Sequence, residues 1–276
     1  MKLLLVLAMV MVALLMMFAG NSSPDGSASQ DGASAANSVA AGPRTPVLVE
    51  LFTSEGCSSC PPADALLTLL DQAQPVPAAE VIALEWHVDY WNYIGWRDPF
   101  SSADYSARQS AYASSFGLNG VYTPQMVVDG RTEFVGSSEA RVRSAISRSV
   151  TSAKPVIELG LAQASSADKL SVRIPAPPNA SSGDTPELFL ALTESGLRSS
   201  VTRGENRGRQ LEHTGVVREF LLLGSVNPSA SPAFATETVL KFNPAWQRAN
   251  LRAVVFVQER NSRRVLSAAQ IPFASH

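Results

Sequence analysis

The stretch Val49-Glu50-Leu51-Phe52-Thr53-Ser54-Glu55-Gly56-Cys57-Ser58-Ser59-Cys60-Pro61-Pro62-Ala63-Asp64 decides how the chain reads. It starts inside a short apolar run, Pro46 to Phe52, that reads as a buried strand. It ends by entering a helix, because Ala63, Leu66, Leu67 and Leu70 recur at i, i+3, i+4 and i+7 and share one face. Cys57 and Cys60, the two cysteines of the chain, fall at the junction. A helix N-terminus carries unpaired N–H groups and partial positive charge, and both favour a thiolate. Cys57, opening the helix, is therefore the expected nucleophile and Cys60, one turn on, the resolving thiol. Pro61 and Pro62 suit the first helical turn, where a missing N–H costs least.

Three other uses of the pair compete with exchange. A purely structural bridge across so short a loop stabilises a fold by only about 2 kcal/mol in the chain-entropy model. A zinc site would have to draw on Cys57, Cys60, His87 and His213, with no second CxxC and no HxxxH to complete it. Two unrelated thiols would make the strand–CxxC–helix context a coincidence. Thiol–disulfide exchange is the favoured reading.

The rest of the chain sets the frame. Its 276 residues and formal charge of −2 do not suit a general nucleic-acid binder, and two cysteines allow one bridge at most, so a disulfide scaffold is excluded. Residues 1–20 carry Lys2 ahead of an unbroken apolar run from Leu3 to Ala19, the pattern of a secretory signal peptide or, if uncleaved, a membrane anchor. Either makes the chain an exported one, periplasmic or secreted, where disulfides persist. Residues 21–44, rich in Ser, Ala, Gly and Asp, read as a disordered linker.

From Thr45 the pattern becomes strand, helix, strand, helix, hairpin, helix. The second strand is Val81 to His87, the second helix Ser101 to Ser114, and the hairpin joins Gln125–Val128 to Thr132–Val135 through Asp129-Gly130. The last helix, around Val142, Ala145 and Ile146, has Glu139 in its first turn. Beyond Lys154-Pro155 the period is mostly two, with seven strand-like runs separated by Pro, Gly, Ser and Asn clusters, as in an antiparallel sandwich. The expected organisation is an α/β domain over 45–152 followed by an all-β antiparallel sandwich over 153–276. Charge divides at the same place: residues 1–153 hold 8 basic and 14 acidic side chains, and residues 154–276 hold 14 and 10. Electrostatic docking of the two halves is one reading of that asymmetry; two separately solvated surfaces is the other.

The segment from Val49 to Asp64, the strand–helix order, and Thr123-Pro124 ahead of a hairpin and final helix make the first domain resemble the thioredoxin superfamily. More closely, HVDYWNYIGWRDPFSS (87–102), VYTPQMVVDG (121–130) and RGENRGRQLEHTGVVR (203–218) make the chain similar to the exported bacterial domain-of-unknown-function family 1223. The thioredoxin resemblance implies that Pro124 is a cis-proline beside the disulfide, leaving the Thr123 backbone to pair with an extended substrate. It also implies that Glu50 is the buried proton acceptor. Glu50 lies one residue further from Cys57 than that role expects, an offset that turns a strand side chain to the other face unless a bulge restores it. The 67 positions between Cys57 and Pro124 imply an insertion around 88–118.

His87 and Asp89 follow the second strand and are candidates for assisting a thiol or holding a metal with it. Trp91 and Trp96, with Tyr90 and Tyr93, form either a stacking wall for substrate or the core of the insertion. Arg203, Arg207 and Arg209 around Glu205, with His213 following, read as an anion site, a self-paired Gly-rich turn, or a contact between the halves. The expected function is an exported thiol–disulfide oxidoreductase acting on protein or small-thiol disulfides with a redox partner. The redox-active Cys57–Cys60 pair would be its only cofactor, without a resident metal or nucleic acid, and with a membrane contact only through an uncleaved N-terminus. The alternatives are a copper or other soft-metal binding protein using the thiolates with His87, and a non-catalytic interaction module.

Overall fold

The apolar run ahead of the cysteines forms β1, Thr45–Thr53, which is buried from Val47 onward and lies inside an eight-stranded sheet. The computed structural model describes residues 44–162, 168–227 and 229–273. The expected signal peptide or anchor, and the linker up to residue 43, lie outside the described residues. Among the described residues no helix is long and apolar enough to cross a membrane.

The first half follows β1 with α1 (Pro61–Ala73), β2 (Ala79–His87), α2 (Ala103–Phe116), β3 (Gln125–Val128), β4 (Thr132–Val135) and α3 (Glu139–Ser149). β1 pairs parallel with β2 and antiparallel with β3, and β3 pairs antiparallel with β4. Side chains alternate across the sheet. Val47, Val49 and Leu51 face α1 and α3 together with Val81 and Ala83, whereas Leu48 and Phe52 face α2 with Ile82, Leu84 and Trp86. Asp129 and Gly130 at the β3–β4 turn both have positive φ, and the Arg131 amide donates to the Val128 carbonyl at 3.0 Å; with Val128 opposite Thr132 the loop holds three residues, 129–131, rather than two.

The second half contributes β5 (Glu158–Ala162), β6 (Asp168–Ile174), β7 (Pro186–Glu194), β8 (Leu197–Ser200), β9 (Gln210–His213), β10 (Val216–Ser225), β11 (Phe234–Leu240), β12 (Leu251–Glu259) and β13 (Val265–Pro272). The expected boundary at 152/153 does not separate two sheets. The strand order is β13-β12-β7-β10-β2-β1-β3-β4, so four strands of the second half extend the sheet of the first. The joint is a parallel pair at Val216 and Glu85, where the Glu85 amide donates to the Gly215 carbonyl at 2.8 Å. Gly215 has φ +70°, and a Cβ there would stand 2.6 Å from the Ala83 carbonyl oxygen, so only glycine fits the joint. The three-stranded β11-β6-β5 sheet packs against this large sheet. Leu170, Val172 and Ile174 of the three-stranded β11-β6-β5 sheet meet Leu188, Leu190 and Leu192 of β7 and Val255 of β12.

The physical reason for the continuity is an apolar surface that crosses the boundary. Phe52, Trp86 and Tyr112 of the first half share one cluster with Phe189, Val254 and Phe256 of the second. Phe189, Phe220 and Phe256 stack on one another with centroids 5.2–6.1 Å apart. α2 lies over the junction: Tyr105 donates from its hydroxyl to the Val217 carbonyl at 2.9 Å. Arg108, also on α2, is buried among the rings of Trp86, Tyr112, Phe220 and Phe256 at 4.9–5.4 Å.

Candidate functional site

The chain leaves β1 at Thr53 and makes a tight turn into α1. The Cys57 amide donates to the Ser54 carbonyl at 3.1 Å and the Cys60 amide to the Cys57 carbonyl at 3.2 Å. Cys60 is the N-cap, and Pro61 and Pro62 occupy the first helical positions. Cys57 therefore stands on the turn three residues ahead of the cap, not in the first helical turn as expected. The two cysteines are joined as a disulfide with Cα atoms 5.5 Å apart. Both are 0% exposed, while Ser58 and Ser59 between them are exposed.

Part of what holds the cysteine turn comes from the far half of the chain. The loop joining β8 to β9 lays Asn206 over the turn, where its Nδ2 donates to the carbonyls of Glu55 at 2.8 Å and Cys57 at 2.9 Å. Beside it the Ser58 amide donates to Glu205 Oε2 at 3.1 Å, and these Ser58 contacts hold the Glu205 carboxyl below its usual range. Arg203, Arg207 and Arg209 are exposed and form no ion pair among the described residues. The loop does join the halves, but through Glu205 and Asn206; the three arginines form a free cationic rim.

The tryptophans bracket the turn rather than stand open over it. Trp91 Nε1 donates to Thr123 Oγ1 at 2.7 Å, and its Cβ lies against Gly56. Trp96 Nε1 donates to Glu55 Oε2 at 2.7 Å, with Gly204 of the cover loop against its Cβ. The Thr123–Pro124 peptide is cis. Pro124 lies close to α1, since a Cβ built on Gly136 would meet Leu51, Ala63 and Pro124 together at 2.8–3.3 Å. Asp89 is not at the disulfide; it accepts from Ser106 Oγ and orders the start of the inserted segment.

Glu50 is a correction. No bulge interrupts β1 against β2, so Glu50 shares the α2 face with Leu48 and Phe52, opposite α1. Its carboxylate pairs with Arg108 at 2.7 Å and accepts from the Tyr112 hydroxyl. It serves the junction of the halves and not the cysteines.

The α1 face carries a different set of buried charges. Asp64, four residues after Cys60, accepts from Thr53 Oγ1 at 2.6 Å. Burial, with the Glu85 charge nearby, pushes its pKa up to about 7. Glu85 Oε1 lies 2.8 Å from His213 Nδ1, and Glu85 Oε2 accepts from the Thr214 amide at 2.9 Å. His213 Nε2 reaches Glu55 Oε1 at 3.2 Å. His87 Nδ1 lies 2.7 Å from Asp98 Oδ2, which also accepts from the Glu55 amide at 2.8 Å. Burial opposes the charged forms throughout. The imidazoles nevertheless hold Glu85 at about 2, and Asp98 with Glu85 lifts His87 to about 9. Burial likewise works against His213, and Glu85 with Glu55 raises it well above the ordinary histidine value.

The structure thus gathers Cys57, Cys60, His87, His213, Trp91, Trp96, Thr123 and Pro124 around one end of the sheet, with the arginine rim outside. Asp64, Glu55, Glu85, Asp98 and Asn206 are additions that the sequence reading missed. A charged residue inside an otherwise apolar strand, as in Ala83-Leu84-Glu85-Trp86-His87, is the signal that marks Glu85, since a buried charge needs a partner.

A family model described as "Protein of unknown function (DUF1223)" matches residues 48–258. No curated protein matches the chain. Among solved structures, the crystal structure of a structural-genomics target protein from Agrobacterium tumefaciens is 24% identical. It has a TM-score of 0.64 and covers 85% of this chain and 97% of its own. That likeness speaks for the fold alone.

Proposed function

The chain belongs to the DUF1223 family, whose description names no activity, so its function has to come from its own residues, and we propose that it is an exported thiol–disulfide oxidoreductase working through Cys57 and Cys60. The observation that carries this reading is the disulfide between a strand-end turn and the N-cap of α1, set over buried groups that can take and return protons. In the reducing direction the Cys57 thiolate attacks a substrate disulfide. One Cys57–substrate S–S bond forms, the substrate S–S bond breaks, and the leaving thiolate departs. The Cys60 thiolate then attacks Cys57 Sγ, releases the second substrate thiolate and leaves the Cys57–Cys60 disulfide. The oxidising direction is the reverse. Asp64, which titrates near neutrality on the helix that carries Cys60, takes the proton-acceptor role first assigned to Glu50. The thioredoxin-like assignment of the first half is supported by the parallel β1–α1–β2 unit and the approach of Pro124 to α1.

The experiment that tests the reading is a redox titration of the purified chain against dithiothreitol and glutathione buffers. A potential above about −300 mV is expected; a pair that stays oxidised well below that value is structural, and the reading fails.

The burial of both cysteines makes exchange conditional on lifting the loop that carries Glu205 and Asn206. Asn206→Ala removes two hydrogen bonds, each worth about 1 kcal/mol net. Reduction of the disulfide by dithiothreitol is therefore expected to speed up roughly tenfold or more, because 1.4 kcal/mol is a factor of ten. An unchanged rate in a stopped-flow or alkylation-quench assay would show that the loop is not the barrier.

A further inference from the structure

We propose that Glu85, His87 and His213 form a binding site for a divalent transition-metal ion of the zinc class. The ion would be held by Glu85 Oε1, His87 Nε2 and His213 Nδ1.

The three side chains are buried, and their ligand atoms lie within 4.8 Å of one another. Glu85 Oε1 is 3.5 Å from His87 Nε2 and 2.8 Å from His213 Nδ1. Ligands about 2.0–2.1 Å from a tetrahedral ion stand roughly 3.3–3.4 Å apart. The first distance already fits, and the second needs an opening of about half an ångström. His87 Nε2 is the independent pointer to a ligand: this fully buried nitrogen has no hydrogen-bond partner. A buried polar atom without a partner is costly, and an ion between His87 and Glu85 would satisfy it.

The outer contacts also have the form that metal-bound histidines take. A ligating imidazole usually donates its second N–H to a carboxylate, which fixes the ring and its tautomer. His87 does this with Asp98 through Nδ1, and His213 with Glu55 through Nε2. Asp98 is itself held by the amides of Glu55 and Phe100. The Phe100 ring stands edge-on to both imidazoles at 5.3 and 5.7 Å and closes the site on its apolar side. Two imidazoles and one carboxylate suit zinc and its borderline neighbours, whereas calcium and magnesium prefer all-oxygen sets. An ion there would cross-link the end of β2 to the end of β9, fastening the hairpin that carries the cysteine cover.

The proposal does not rest on the thiol-exchange reading, and its test removes the thiols. The full chain carrying Cys57→Ser and Cys60→Ser is stripped with a chelator and dialysed against zinc alone. One equivalent is expected by elemental analysis, and X-ray absorption of the bound zinc should show nitrogen and oxygen neighbours without sulfur. His87→Ala, added to that variant, should abolish stoichiometric binding. Asp98→Asn, which leaves every ligand in place, should weaken it 10–100-fold. Absence of zinc from the cysteine-free chain overturns the site, as does binding that survives His87→Ala. Zinc bound only by the reduced wild-type chain also overturns it, because the thiolates would then be the ligands. If the wild-type chain exchanges disulfides while the cysteine-free chain takes no zinc, this inference alone fails.

Discussion

Cys57→Ser is expected to abolish disulfide exchange, lowering insulin reduction by at least about a thousandfold, as loss of a covalent nucleophile does. Cys60→Ser should behave differently. It leaves the attacking sulfur and removes the one that releases the substrate, so a mixed disulfide between Cys57 and substrate accumulates and can be weighed by mass spectrometry. The asymmetry follows from position. Cys57 lies on the exposed-serine side of the turn, its Sγ 3.4 Å from the hydroxyl of Ser59, whereas Cys60 is the cap of α1, rooted in the helix by the Ala63 and Asp64 amides that donate to its carbonyl. An adduct trapped on Cys60 in the Cys57→Ser variant would reverse the roles, and no adduct in either variant would remove the exchange reading. Because Asn206 fastens the cysteine turn through the Glu55 and Cys57 carbonyls, trapping should also rise when Asn206→Ala is combined with Cys60→Ser.

The second large effect concerns stability. Arg108→Ala is expected to cost about 3–5 kcal/mol, the range for breaking a buried ion pair by removing one partner. Glu50 would be left as a buried carboxylate with only the Tyr112 hydroxyl for company. Arg108 also donates to Gln258 Oε1 of β12 at 3.1 Å, and Gln258 donates to the Tyr112 hydroxyl at 2.7 Å, so the change disturbs both halves of the sheet at once. Urea denaturation should show a single transition with a lower midpoint and an unchanged slope. Replacing both partners with apolar side chains, Glu50→Leu with Arg108→Met, should recover much of the loss, because no charge is stranded. A loss below about 1 kcal/mol for Arg108→Ala would contradict the weight given to the pair.

The sequence carried the local features well. The hairpin around Asp129-Gly130 and the helix after the cysteines coincide with the elements formed, because each is specified by neighbours within a few residues. Features set by distant parts of the chain were harder to read. β8 and β9, Leu-Arg-Ser-Ser and Gln-Leu-Glu-His, have no apolar run to announce them, so periodicity does not reveal the hairpin that carries the cover. The change of period near Pro155 suggested a new domain. That β10 would pair with β2 depends on Gly215 meeting the Ala83 carbonyl, a contact between residues more than 100 positions apart. Glu50 shows the limit most sharply: the resemblance assigned it a role, and the strand's period of two placed it on the other face. Glu85 is hidden for the opposite reason, since one acidic residue in a buried strand looks like noise until His213 arrives beside it.

Ser58 is held by Glu205, 147 positions further along the chain, and Cys57 by Asn206, 149 positions further along. A ribosome makes the cysteine turn long before it makes Asn206. Until then neither Glu205 nor Asn206 can hold that turn, and their bonds to it form only once β10 has been made and can pair with β2. The accessible form of the pair is thus also its youthful one, and maturation of this protein includes tying down the turn that carries its two cysteines.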